Sequence, residues 1–382
     1  MQIITTQDAL ITFCDQVSSG DYITVDTEFI RDKTYFPKLC LLQMANDDHA
    51  AIIDPLAEGI DLAPVFTLMQ NPQIVKVFHA ARQDIEIFFL LSGHIPTPIF
   101  DTQVAAAVSG FGESVGYESL VNKIVGAEID KSSRFTDWAA RPLTEKQLQY
   151  ALSDVTHLRV IYKELHQKIT ETGRMSWLKK EHDFLSNPAL YRPDPDNAWK
   201  RLKYGNMRPK NVAILRELAK WREIEAREKN VPRGRIIKDD LLIELAHTAP
   251  RKESDILRLR SVDKHLPKHK LDAVLAAVNT ALELPNTEWP QLPKAKKPPQ
   301  NITAVVAMLQ LLLKVKADMH NIAAPIIASK DDLEAIALGQ ETPVLQGWRY
   351  DIFGKKAQAL IEGKLKISLN PKNKQVVFEE LE

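Results

Sequence analysis

Asp26 and Glu28 are the first residues of this chain whose types and spacing can do chemistry. They lie in Asp21-Tyr22-Ile23-Thr24-Val25-Asp26-Thr27-Glu28-Phe29, where β-branched and aromatic residues predict a strand. Residues i and i+2 of a strand share a face, which sets the two carboxylates side by side, about 7 Å apart at Cα. Two carboxylates held together repel unless one is protonated or a cation lies between them. Oxygen-only ligands suit a hard cation such as Mg²⁺ or Mn²⁺. Such a pair taken alone reads more simply as a strand end entering solvent, so further acidic positions decide the matter. Asp84 falls in the first turn of a helix predicted over 83–91, directly after an apolar strand at 74–78. Asp154 falls on a long helix beginning at Thr144, and Tyr150 precedes it by four residues, so a phenol and a carboxylate share one helical face.

These positions need a scaffold. Strands are predicted at 22–29, 39–45 and 50–54, the last two joined by the turn Asn46-Asp47-Asp48, and together they form an antiparallel meander. Helices are predicted at 6–13, 61–69, 83–91, 102–108 and 119–125, with Asp101 capping the fourth after the short strand Ile99-Phe100. The long helix runs from Thr144 past Leu165. Alternating strands and helices define an α/β class with a mixed sheet. Beyond residue 170 the pattern changes. Prolines crowd 175–209, as in a linker or docking arm. Ile214, Leu218, Trp221 and Ile224 fall at helical spacing, and Asp239-Asp240 caps the apolar run that follows. A proline- and lysine-bearing stretch at 285–299 separates a second helical segment, 301–365, which ends in a hairpin over 366–378. The expected domains are 1–170, 171–209, 210–289 and 290–382, the two helical segments being a divergent repeat of one small all-α module.

The composition sets bounds. With 382 residues, two or three domains each bury a core of their own. The start of the chain has no basic n-region, and the apolar stretch 305–315 is too short to span a bilayer, so no membrane association is expected. Cys14 and Cys40 lack metal-type spacing and read as buried free thiols of a reducing compartment, the cytoplasm. The net charge is zero, yet residues 1–170 hold 13 basic and 22 acidic residues, while 201–270 hold 19 basic and 10 acidic. An acidic half suited to cations followed by a basic half suited to polyanions hints at nucleic acid. A monomer is the expected state.

Asp26-Thr27-Glu28, Asp84 and Tyr150-Ala151-x-x-Asp154 resemble the three exonuclease motifs of the DEDD superfamily. Gln149 stands where the histidine subclass would carry its His, which favours the tyrosine subclass. The connecting segments Arg31-x-x-x-Tyr35-x-Pro37-x-Leu39-x-Leu41-x-Gln43, Asp130-Lys131-Ser132, Thr136-Asp137-Trp138 and Arg141-Pro142-Leu143-Thr144 are similar to those of the ribonuclease D family. Leu218-x-x-Trp221-Arg222 with Pro232, and more weakly Gly347-Trp348-Arg349, resemble that family's paired HRDC modules.

The resemblance implies a ribonuclease H-like, DnaQ-like catalytic domain followed by two HRDC domains. It implies two divalent ions, one held by Asp26, Glu28 and Asp154 and the other by Asp26 and, through water, Asp84. Tyr150 would orient the attacking water, and no organic cofactor is expected. The implied reaction is stepwise 3′→5′ release of nucleoside 5′-monophosphates from RNA with a free 3′-hydroxyl, with tRNA precursors and other small structured RNAs as substrates. Phe29 and His79, beside the acidic positions, are candidate substrate contacts, as are Lys131, Arg134 and Arg141, which precede the catalytic helix near Trp138. Lys203, Arg208, Arg233 and Arg235, with Lys200, Arg201 and Lys210, are candidate phosphate contacts. A DNA 3′→5′ exonuclease is the runner-up, because the reaction does not use the 2′-hydroxyl. A non-catalytic RNA-binding scaffold is the third reading.

Overall fold

The strand that carries Asp26 and Glu28 is the longest of the sheet, β2 (Tyr22–Ile30), and the sheet is built outward from it. The computed structural model describes residues 3–134, 136–260, 262, 267–291 and 302–381, without the side chains of Lys131 and Lys180. Strands β1 (Ile3–Ile4), β3 (Lys38–Ala45), β4 (Ala50–Ile53), β5 (Val75–Phe78) and β6 (Ile99–Asp101) complete a mixed sheet in the order β1-β4-β3-β2-β5-β6. The β2-β3-β4 meander is antiparallel, as expected, and β1, β5 and β6 join parallel. The two-residue β1 is too short to leave a periodic signal in the sequence. Helices α1 (Gln7–Val17), α2 (Ala63–Met69) and α3 (Arg82–Ser92) pack with Ile23, Val25, Leu42 and Met44 on one face. On the other face lie α4 (Thr102–Val108), α5 (Tyr117–Leu120) and the long α6 (Glu145–Glu171). Thr144 closes a capping box with Gln147 at the start of α6.

Residues 171–209 divide between two bodies. Helix α7 (Met175–Leu185) and Tyr191 pack onto the sheet domain, whereas Ala198, Trp199, Leu202 and Met207 enter the first helical core. That core is formed by α8 (Pro209–Glu228), α9 (Arg233–Ile236), α10 (Asp239–Thr248), α11 (Glu253–Ile256) and α12 (Lys268–Glu283). Two expectations here are corrected. Ile224 is exposed, because the buried stripe of α8 runs through Leu218, Ala219, Arg222, Glu223 and Ala226. Asp239 and Asp240 occupy the first turn of α10 rather than its cap, which is Lys238, and Asp239 pairs with the buried Arg222 at 2.5 Å.

Residues 292–299 of the second proline-rich stretch lie outside the described residues. The last body holds α13 (Ile302–His320), α14 (Ala324–Ile327), α15 (Lys330–Ala337), α16 (Gly347–Arg349) and α17 (Lys355–Ile361), followed by the hairpin β7 (Leu365–Leu369) and β8 (Val376–Glu380). It docks on α7 through a Trp177–Trp348 stack, ring centroids 4.7 Å apart, and an Arg349–Glu181 pair. Cys14 and Cys40 are free and buried, as expected.

The first helical body is tied to the sheet domain by one buried polar cluster. The Tyr35 hydroxyl, from the β2–β3 connection, donates to the Glu223 carboxylate, and Arg233 and Arg227 donate to the Tyr35 oxygen at 2.9 and 3.1 Å. Arg233 reaches Glu223 as well, at 2.5 Å. Asn230 Oδ1 accepts from the backbone N–H groups of Tyr35 and Phe36 at 3.1 and 3.0 Å. Burial alone would push the Glu223 carboxyl up, but the Arg233 and Tyr35 hydrogen bonds and the neighbouring positive charges outweigh it and leave the pKa lowered to about 2.

Candidate active site

β2 overshoots its parallel neighbour. Pairing with β5 ends at Thr24–Val77, so the strand from Val25 onward has β3 on one edge and open space on the other. Asp26 and Glu28 project from this overhang, on the face covered by α6. The Thr24 hydroxyl, on the same face, lies 2.9 Å from Val155 O and fastens α6 to β2 there. The residue just before Val155 is Asp154, and the Tyr117 hydroxyl of α5 donates to its backbone carbonyl. One carboxylate oxygen from each of Asp26, Glu28 and Asp154 lies within 4.8 Å of the others.

Asp84 arrives from the opposite side. It sits in the first turn of α3, and its carboxylate accepts the Thr27 hydroxyl at 2.5 Å, Thr27 pointing to the face away from Asp26. The turn presenting Asp84 is held by Asp101, which caps α4 through Gln103 N (2.8 Å) and also accepts from Ala80 N (3.0 Å) and Ala81 N (2.9 Å). Ala80 has φ 57°, a left-handed conformation that costs a non-glycine residue energy and that these bonds hold in place. Three carboxylates thus converge, and the fourth stands across the strand from them. Thr24, Thr27 and Tyr117 were not singled out from the sequence; a hydroxyl inside a buried strand run was the available signal for the two threonines.

The floor opens into a cleft of about 1220 Å³, lined among others by Phe29, His79, Gln83, Arg134, Trp138 and Tyr150. Phe29, His79 and Arg134, expected as substrate contacts, line this cleft. The His79 ring lies 3.0 Å, at Nδ1, from the Thr102 hydroxyl, which in turn lies 3.0 Å from Phe78 O. Burial keeps this imidazole neutral by lowering its pKa. Arg141 is a correction. Its guanidinium forks onto Asp54 at 2.7 and 2.6 Å and donates to the carbonyls of Cys40, Trp138 and Ala140, so it staples β3, β4 and the loop before α6 instead of facing the cleft. Arg233 is a second, its guanidinium being spent on Glu223 and Tyr35. Lys203, Arg208 and Arg235 are exposed and do not line the cleft. The Lys131 side chain lies outside the described residues.

The electrostatics of the cluster fit a cation. Burial first, then the Asp154 charge, holds the Asp26 carboxyl well above the usual range. Glu28 is pushed up to about 10 by burial and by Asp26, Asp154 and Asp84, with Arg134 opposing. Asp84 is raised by burial and Asp26, against the Thr27 hydroxyl. Asp154 rises to about 7 through burial, partly offset by the Tyr150 phenol. Asp154 Oδ1 is buried without a hydrogen-bond partner. A partly buried, oxygen-only donor set with an orphaned acceptor is what a hard divalent cation satisfies.

A pH dependence follows. Folded-state pKa values above the unfolded ones mean that this cluster supports folding at low pH, and that the support is lost as pH rises through about 7 and on towards about 10. A bound cation reverses this by taking the ionised forms. The melting temperature in EDTA is expected to fall from pH 6 to pH 9, and the increase produced by Mn²⁺ to grow over the same range. Calorimetry with and without Mn²⁺ checks it; an Mn²⁺ increment that is flat or shrinks with pH contradicts the assignment.

Comparison with known proteins agrees with this geometry. Residues 1–170 match the 3′-5′ exonuclease family and residues 211–278 match the HRDC domain. The chain is 46% identical to ribonuclease D of Jannaschia sp. over 98% of both chains. It is 43% identical to ribonuclease D of Gluconacetobacter diazotrophicus over 96% of this chain and 94% of that one. Among solved structures, Escherichia coli ribonuclease D, an exoribonuclease involved in structured RNA processing, superposes with a TM-score of 0.83 at 30% identity, covering 95% of this chain and 98% of that chain. With its 3′-5′ exonuclease domain, its helical HRDC body and its acidic cluster, the chain belongs to the ribonuclease D family and is a 3′–5′ exoribonuclease.

Proposed function

We propose that this exoribonuclease trims tRNA precursors and other small structured RNAs from a free 3′-hydroxyl, acting as a cytoplasmic monomer with two divalent cations, Mg²⁺ or Mn²⁺. The observation that carries this reading is the convergence of Asp26, Glu28 and Asp154 beneath an open cleft. These three would hold one cation, and Asp26 with Asp84 the second. When bound, such ions lower the pKa of the attacking water and neutralise the leaving oxygen.

The chain's own residues supply the rest. Tyr150 holds the attacking water: burial and the Asp154, Glu28 and Asp26 charges raise its pKa far above the ordinary phenol value, so it orients rather than takes a proton. Arg134 acts on both Glu28 and Tyr150 and brings positive charge to the phosphate. Phe29 offers a face for the terminal base. We read 1–170 as the exonuclease domain, 171–209 as a docking arm, 210–289 as the first HRDC domain and 290–382 as a second, divergent one. The parallel between α13, of 19 residues, and α8, of 20, supports the last assignment.

The test is incubation with 3′-extended tRNA and with matched RNA and DNA oligomers, in Mn²⁺ or EDTA. The expected products are nucleoside 5′-monophosphates from RNA in Mn²⁺ and none in EDTA. Oligonucleotide products, or faster loss of DNA than RNA, would refute the proposal.

A further inference from the structure

The catalytic cleft is the first of three cavities that share walls. Arg31 and Gln83 line both the cleft and a second cavity of about 550 Å³, which lies between α3 and the first helical body. Arg201 and Arg233 line both that cavity and a third, of about 430 Å³, which lies on the helical body itself. The three form one track leading away from the carboxylates across the domain seam.

The second cavity is the most basic. Six arginines line it against one carboxylate, Glu86. Three are ion-paired locally, Arg31 with Glu86 and both Arg227 and Arg233 with the single carboxylate of Glu223. The other three are exposed: Arg82 and Arg201 have no ion pair among the described residues, and Arg192 lies over the Phe89 ring at 4.7 Å. Half-buried, ion-paired arginines therefore build the seam, and exposed ones face the groove it leaves. Guanidinium groups with unused donors on a concave surface fit phosphate oxygens in a bidentate manner.

We propose that this groove takes the phosphodiester backbone of the RNA upstream of the bond being cut, contacted by Arg82, Arg192 and Arg201. This deepens the proposed function and rests on it for polarity: the 3′ end occupies the carboxylate cleft, so the 5′ body leaves past Gln83 and Arg31 and crosses to the first helical body. The groove reads backbone charge rather than sequence. It makes the sheet domain and the helical body one RNA-binding surface, with the Tyr35–Glu223 cluster holding the two halves in register.

The test compares the wild type with the triple variant R82Q/R192Q/R201Q and with a charge-matched control, K163Q/K168Q/K179Q, whose lysines line none of the three cavities. Binding of a fluorescent RNA 12-mer is measured in EDTA, so the result does not depend on turnover. The triple variant is expected to bind roughly tenfold more weakly, with a salt slope shallower by about 2 for three lost phosphate contacts. In Mn²⁺ its kcat/KM is expected to fall more on the 12-mer than on a dinucleotide, through KM. Binding and salt slope equal to wild type, an equal loss in the control, or an equal kcat/KM loss at both lengths overturns the proposal. A wild type that binds RNA in EDTA with the expected arginine dependence, yet never cleaves it in Mn²⁺, supports the groove and refutes the exoribonuclease reading instead.

Discussion

Asp26→Asn and, separately, Asp154→Asn are expected to slow nucleotide release by at least about 10³-fold, a loss of ~4 kcal/mol of transition-state stabilisation. The same changes are expected to raise the melting temperature of the metal-free protein at pH 8. Both outcomes have one cause. Oxygens of Asp26, Glu28 and Asp154 crowd within 4.8 Å; burial raises all three pKa values, and the neighbouring carboxylates raise those of Asp26 and Glu28 further. At pH 8 the metal-free site must either ionise in crowded surroundings or hold protons against the solvent, and each costs folding energy. An amide of the same shape removes one charge and the cost with it, but it is a poorer ligand for a hard cation. Turnover assays in Mn²⁺ and calorimetry in EDTA measure the two effects on one preparation. Near wild-type turnover ends the catalytic assignment. Lost turnover with a lowered metal-free melting temperature shows that these carboxylates stabilise the fold instead.

Glu223→Gln is expected to cost about 3 kcal/mol at pH 7, from a pKa lowered from the ordinary 4.5 to about 2 at a side chain only 2% exposed. A depressed folded-state pKa stabilises above the unfolded value, and that support is lost as pH falls through about 2. The gap between variant and wild type is therefore expected to be full at pH 7 and to narrow at pH 3. The penalty is large because the change leaves Arg227 and Arg233 without their carboxylate in a buried place. Tyr35→Phe, which removes one hydroxyl from the same cluster, is expected to cost nearer 1 kcal/mol. Urea denaturation of the full chain at the two pH values decides; a gap that widens with acidification would show that the arginines, not Glu223, carry the interface.

The acidic set was legible because strand alternation and the i, i+4 rule act over a few residues. Those rules put Asp26 beside Glu28 and Tyr150 beside Asp154, although the first pair alone reads as a strand end entering solvent and gains its meaning from Asp84 and Asp154. The Thr144 start of α6 was legible for the same reason, since a capping box is closed within one turn. Interactions between distant segments were not. Arg141 reads as a loop cation until Asp54, 87 positions away, is seen to take its fork. Arg222 and Glu223 look like the solvent side of α8, which moved the expected apolar stripe onto Ile224. Their charges are met by Asp239 for Arg222 and by Arg233 for Glu223, with Tyr35 donating to Glu223 from the sheet domain, and no hydropathy pattern encodes such distant partners. Asp84 could be placed on its helix, but not on its side of the sheet.

That placement makes the centre a caliper. One jaw is α3 with Asp84 and the other is α6 with Asp154, and the two helices press on opposite surfaces of β2. Sliding one layer past the other by a fraction of an ångström changes the gap between the jaws while leaving both layers intact. Misplacement on that scale is enough to slow a reaction that depends on alignment. Repacking substitutions beneath α3, away from the carboxylates, are therefore expected to alter turnover before they alter folding.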